Sequence, residues 1–189
     1  MNIIVRPYDS SMCYCRPDTT WERENKDYYV PECIDSLDWA PIVFVRISKA
    51  GKCIGSKFAS RYYDSFNFGA LVYCNRADET EIASTSCADH TSILPFPLYN
   101  TAVMETEGNI HEVRKDGERI FIYETAPTVL KEAIENAICK ASETISLRIG
   151  DFVAVELMPK SALASREKSG LRLDATFCEN GLYDFKIIF

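Results

Sequence analysis

The stretch Ser36–Ile47, SLDWAPIVFVRI, decides how the rest of the chain is read. From Pro41 to Ile47 it is β-branched and aromatic, almost free of charge and too short for a helix, which predicts a buried β-strand. No residue in that run is a nucleophile, an acid or a metal ligand. Pro41 has no backbone N–H, so a strand start or a sheet edge is expected there.

Working outward, residues 1 to about 35 are polar and rich in turn formers, and they read as an irregular segment covering a core formed later. A turn is expected at Lys49-Ala50-Gly51-Lys52. In KFASRYYDSFNF, Phe58, Tyr62 and Phe66 recur once per turn and predict a short amphipathic helix; GALVYC after it is strand-like. Residues 75 to 109 are loop-rich. IHEVRK and RIFIY flank Asp116-Gly117, a strong hairpin signal. The clearest helix starts at Pro127 with Thr125 as its expected cap, and Leu130, Ile134, Ile138 and Ala141 share one face. The remaining strands are FVAVEL, LRLDATFCE and YDFKIIF, the last two joined by a turn expected at Asn180-Gly181. Many strands and few helices, without βαβ alternation, predict one α+β, mostly β domain over residues 1–189.

The formal net charge is −7 and Lys and Arg form no cluster in the sequence, so there is no footprint for nucleic acid or an anionic membrane surface. The N-terminus lacks the pattern of a signal peptide, and no apolar run reaches the ~20 residues of a membrane span; the expected location is the cytoplasm. The eight cysteines are irregularly spaced without a Cys-x-x-Cys, and a chain of 189 residues needs no staples, which predicts reduced thiols. Cys53, Cys74 and Cys178 lie in strand-like runs and are expected to act as small hydrophobes.

Several stretches, taken in order, carry a resemblance. RPDTTWERENKDYYVPECIDSLDWAPIVFVRISKAGKCI, KFASRYYDSFNFGALVYCNR, ADHTSILPFPL and KDGERIFIYETAPTVLKEAIENAICKASETISLRIGDFVAVELMP resemble the fumarylacetoacetate hydrolase family in its short, bacterial form. The Gly150-Asp151 run is the most specific part, and ENGLYDFKIIF fits the family's ending. The resemblance implies a β-roll fold and a homodimer. It also implies a metal site in which Mg²⁺, Mn²⁺ or Ca²⁺, held by acidic side chains, activates a small 2-oxo or 1,3-dicarbonyl acid. Hard cations of this kind require oxygen ligands. Carried over by position, however, the Glu-x-Glu pair falls on Ala40 and Ile42, and the Asp of Gly-x-Asp falls near Leu71. The family lysine falls near Ser86, and the Thr of the Gly-Thr-Pro loop near Leu157 or Met158, with only Pro159 kept. The catalytic-lid segment has no counterpart in VRPYDSS. No metal cofactor is therefore expected.

The remaining acidic and basic candidates are Asp38, Asp64, Asp78, Glu79, Glu81, Asp89, His90 and Glu156. Asp89, His90 and Glu156 are retained as catalytic candidates, each beside a plain alternative. A lone loop histidine such as His90 is more often simply exposed than catalytic, and the acidic run from Asp78 to Glu81 reads as a solvated loop. Glu156 breaks the apolar alternation of FVAVEL and faces either solvent or the former pocket. Cys87 is the one thiol with a histidine close in sequence. His111 reads as structural. The leading expectation is a non-catalytic homologue, because an unpaired carboxylate trio without its cation is costly and apolar replacements relieve it. The alternatives are an enzyme of altered mechanism on a small 2-oxo acid, and a metal-free protein that binds a small carboxylic acid in the former pocket.

Overall fold

The computed structural model describes residues 1–77, 81–167 and 170–189. Asp78 and Glu79 lie outside the described residues. The chain is mostly β, and its larger sheet curls into a half-barrel.

Two long antiparallel strands form the spine: β5, Ser36–Ile47, and β6, Tyr63–Asn75. Four short strands precede them: β1 Ile3–Arg6, β2 Tyr14–Arg16, β3 Trp21–Glu22 and β4 Tyr28–Tyr29. After β6 come β7 Ser92–Ile93, β8 Tyr99–Asn100, β9 Ile110–Lys115 and β10 Glu118–Glu124. The C-terminal strands are β11 Phe152–Glu156, β12 Ser161–Ser165, β13 Leu171–Phe177 and β14 Asn180–Ile188. The larger sheet runs β2-β1-β11-β5-β6-β7-β3, with β12 also on β5 and β8 on β6. The second sheet runs β10-β9-β13-β14-β4. The helices are α1 Ile82–Thr85, α2 Thr101–Met104 and the long α3 Pro127–Thr144. Among the described residues no helix is long and apolar enough to cross a membrane.

The spine is buried on both faces, and alternation sorts its side chains into two cores. Leu37, Trp39, Val43, Val45 and Ile47 of β5 join the main core with Phe66, Phe68, Ala70 and Val72 of β6 and Leu130, Ile134 and Ile138 of α3. Ala40, Ile42 and Phe44 point the other way. They meet Leu71 and Tyr73 of β6, Ile3 and Val5 of β1, Phe152 and Ala154 of β11, and Leu94. Tyr14, Trp21 and Leu98 pack over this second, smaller layer.

Several local expectations shift. Residues 1–35 do cover the second layer, but they are also built into the sheet: β1 lies between β2 and β11, with Ile3, Ile4 and Val5 fully buried. Pro41 is neither a strand start nor on an edge strand. On one side it pairs with Ala70; on the other its carbonyl accepts from Leu157 N at 2.9 Å, where the neighbour of β5 changes from β11 to β12. The missing N–H falls at that changeover, where the ladder is broken anyway. The helix read through Phe66 is a 3₁₀ turn, Ser56–Arg61, because the backbone extends into β6 from Tyr63 and leaves Phe58 exposed. Thr125 does not cap α3; its hydroxyl donates to Thr106 O at 3.0 Å. The β13–β14 turn sits at Cys178-Glu179, both with positive φ (49° and 64°), so Asn180 and Gly181 already belong to β14. All eight cysteines are free thiols. Cys74 is the buried hydrophobe expected, whereas Cys53 is exposed and Cys178 lies half-buried in the turn.

Candidate functional site

Ala40 and Leu71 are direct cross-strand partners, and Ile42 lies two residues along the same face of β5. The sheet thus brings together the three positions to which the sequence resemblance assigns the family's carboxylates. All three are 0% exposed and belong to one packed apolar cluster. A methyl, a sec-butyl and an isobutyl group offer no lone pair, so this donor set does not fit Mg²⁺, Mn²⁺ or Ca²⁺, which need several oxygen ligands. Among the described residues no three His, Cys, Asp or Glu side chains converge to hold a metal. Gly69, opposite Ile42, keeps the layer closed: a Cβ there would stand 2.2 Å from Ile93 O, so β7 can approach β6 only across a glycine.

Polar groups do enter the layer at one end. Glu156 closes β11 on the same face as Phe152 and Ala154, opposite Ile42 in register, and is 5% exposed. It therefore faces the former pocket, not solvent. Its carboxylate accepts from the Tyr73 hydroxyl and, at 2.9 Å, from Tyr8 N. The Tyr73 and Tyr14 hydroxyls share a 2.8 Å bond. Burial pushes both phenols above their ordinary pKa.

A cation is already resident there. Arg16 is 1% exposed, with its guanidinium 4.6 Å from the Tyr73 ring centre. It donates to Val72 O at 2.8 Å, Thr91 O at 3.0 Å and Ser92 Oγ at 3.1 Å, stitching β2 across the layer to β6 and β7. Lys160 Nζ also lies 4.6 Å from the Tyr73 ring. The buried Arg16 guanidinium and the buried Glu156 carboxylate thus both meet Tyr73, while Lys160 is exposed. Sequence reasoning found Glu156 through the break in alternation. It missed Arg16, Tyr14 and Tyr73, which carry no local pattern. Ser86 is buried on a helix end, its hydroxyl donating to Ile82 O, and offers no amine in place of the family lysine.

The other two candidates lie elsewhere. His90 and Asp89 line an 830 Å³ cleft together with Cys87, Lys26 and Tyr28. Glu22 alternates with Trp21 on β3, so it turns away from the second layer and into this cleft. Its buried carboxylate accepts from His90 Nδ1 at 2.9 Å and from Glu24 N at 2.6 Å. That contact fixes the tautomer and leaves Nε2 as the exposed basic nitrogen of the ring. His90 itself sits at φ 59°, a left-handed turn conformation, and its side chain is 57% exposed. Asp89 is exposed, and Asp38 and Asp64 are brought into neither group. His111 belongs to the main core, stacked on Phe68 with ring centres 4.7 Å apart and donating from Nδ1 to Thr176 O at 3.0 Å. Burial holds its pKa down at about 4.

No protein-family model matches the chain, and no curated protein matches it. Solved structures do. Fumarylpyruvate hydrolase from Pseudomonas aeruginosa, in complex with Mn²⁺ and pyruvate, aligns over 100% of this chain and 90% of its own at 14% identity, with a TM-score of 0.80. The 5-carboxymethyl-2-hydroxymuconate delta-isomerase of Mycobacterium smegmatis aligns over 99% and 78% at 14% identity, TM-score 0.78. A fumarylacetoacetate hydrolase family protein from Yersinia pestis aligns over 99% and 92% at 12% identity, TM-score 0.76. At such identities the likeness establishes the fold.

Proposed function

We propose that this protein, built on the fumarylacetoacetate hydrolase fold, is a non-catalytic homologue that works without a divalent metal. One observation carries the reading: Ala40, Ile42 and Leu71 come together, fully buried, in a packed apolar layer. Burying an Ile or Leu side chain stabilises a fold by ~1.5–3 kcal/mol. Clustered carboxylates in the same place would need a cation to offset their desolvation and mutual repulsion. The layer has therefore become structural. Cleavage, decarboxylation and tautomerisation of 2-oxo acids all pass through an enolate, and no group at these positions can stabilise one. An assay of the purified protein with fumarylpyruvate, other acylpyruvates and oxaloacetate, with and without Mn²⁺, tests this. No turnover above the uncatalysed rate is expected; metal-dependent turnover at saturating substrate overturns it. We also propose a homodimer on the strength of the fold, to be tested by sedimentation.

A second reading rests on the Glu22–His90 pair. A histidine with one nitrogen held by a buried carboxylate and the other open to an 830 Å³ cleft has the geometry of a general base. An enzyme of altered mechanism would act here, away from the former metal layer. Its signature is metal-independent turnover of a small 2-oxo acid that is lost in both His90→Asn and Glu22→Gln. Turnover unaffected by both substitutions contradicts it.

A further inference from the structure

At the end of the second layer opposite Glu156 the sheet opens into a separate cleft of 390 Å³. Register fixes its place: Arg46 pairs with Phe152 at the start of β11, whereas Ile42 pairs with Glu156 at its end. The wall is aromatic. Ring centres of Trp21 and Phe152 are 5.3 Å apart, Trp21 and Phe96 5.6 Å, and Phe96 and Phe152 6.3 Å. Phe96 is 44% exposed at the mouth. It is held there because buried Asn67 donates to Pro95 O at 3.2 Å and to Pro97 O at 3.0 Å on either side of it.

Three arginines, Arg23, Arg46 and Arg148, line the same cleft. All are exposed, and none is paired with a carboxylate among the described residues. The Arg23 guanidinium lies 5.2 Å from the Trp21 ring centre. The one carboxylate in the lining, Asp151, is 1% exposed and turned to the backbone, accepting from Asn2 N at 2.7 Å and Arg148 N at 2.8 Å. In a chain of net charge −7 this is a local reversal of sign. Guanidinium forks match a carboxylate in two parallel hydrogen bonds, and rings inclined to one another by 48°, 65° and 73° offer an apolar corner into which an aromatic ring can pack edge-on or tilted. Solvated surface arginines alone would carry no such reading; the aromatic wall beside them does.

We propose that this cleft binds a small aromatic carboxylate, with its ring against Trp21 and Phe96, which Phe152 backs from beneath, and its carboxylate between Arg46 and Arg148. The cleft shares Phe152 with the second layer but uses none of Ala40, Ile42 and Leu71, so the proposal stands whether or not the protein is catalytic. Calorimetric titration of the full chain with naphthoate, naphthamide and inorganic phosphate tests it. Saturable one-to-one binding of naphthoate is expected, with naphthamide and phosphate each about tenfold weaker. The double variant Arg46→Ala/Arg148→Ala, at exposed positions that leave folding intact, is expected to weaken naphthoate by about tenfold or more. Equal binding of naphthoate and naphthamide, phosphate binding as tightly as naphthoate, no saturable binding at millimolar concentration, or affinity unchanged in the double variant would each overturn the proposal. So would loss of self-association in the double variant without naphthoate binding to the wild type, since the face would then belong to a second copy.

Discussion

Ile42 shows what one side chain decides. It is fully buried, it faces Gly69 and Glu156 across its two neighbouring strands, and nothing around it can pair with a charge except the network at the Glu156 end. Ile42→Glu would place a second carboxylate beside Glu156 in that layer. A destabilisation on the order of 3 kcal/mol or more is expected in urea denaturation. Mn²⁺ should not reverse it, because Ala40 and Leu71 still supply no ligands; full recovery of stability on adding Mn²⁺ would show that the layer can still bind metal. His111 sets a pH dependence of its own. Its folded pKa, about 4 against an ordinary 6.5, means that the unfolded chain binds a proton in this window while the folded chain does not. Stability from this group is complete above 6.5 and is lost as pH falls toward 4, on the order of 3 kcal/mol in all. His111→Phe, which keeps the stacking on Phe68, should flatten that part of the stability–pH curve. An unchanged slope would assign the acid sensitivity to other groups.

Among the elements, β6 and β7 depend on Gly69. A Cβ there meets Ile93 O at 2.2 Å, and that oxygen belongs to backbone that cannot swing aside. Gly69→Ala is expected to cost about 1–3 kcal/mol by displacing β7 and with it Leu94 from the second layer. A variant as stable as wild type would mean that β7 is not held as described. The long elements were legible because periodicity reports burial directly: β5 read as a buried strand, α3 showed its inner face, and Asp116-Gly117 marked its hairpin. Boundaries were less legible where tertiary pairing overrode a local signal. Asn180-Gly181 is a strong turn pair, yet the irregular register after Ala175 sets Gly181 opposite Thr176 and moves the turn to Cys178-Glu179. The resemblance pointed to Ala40, Ile42 and Leu71, and the sheet does set these three side by side. The Glu156–Tyr73–Tyr14 network was not legible, because its members are 83 and 59 residues apart in sequence and meet only through the sheet. Glu22 escaped notice for the same reason, being 68 residues from His90.

Across the whole molecule, one half-barrel combines an apolar interior layer with charged ends. Ala40, Ile42 and Leu71 fill the centre of the second layer, Arg16 and Glu156 close one end, and three arginines stand over an aromatic cleft at the other. Apolar side chains thus fill the middle of the layer and charged ones stand at its two ends. The central claim is that the middle has become a packed core which takes no divalent cation, and calorimetric titration of the metal-stripped protein with Mn²⁺ tests it most directly. No saturable heat at millimolar Mn²⁺ and no change in Tm on adding Mn²⁺ or a chelator are expected. One-to-one binding at micromolar affinity, with a matching rise in Tm, would contradict it.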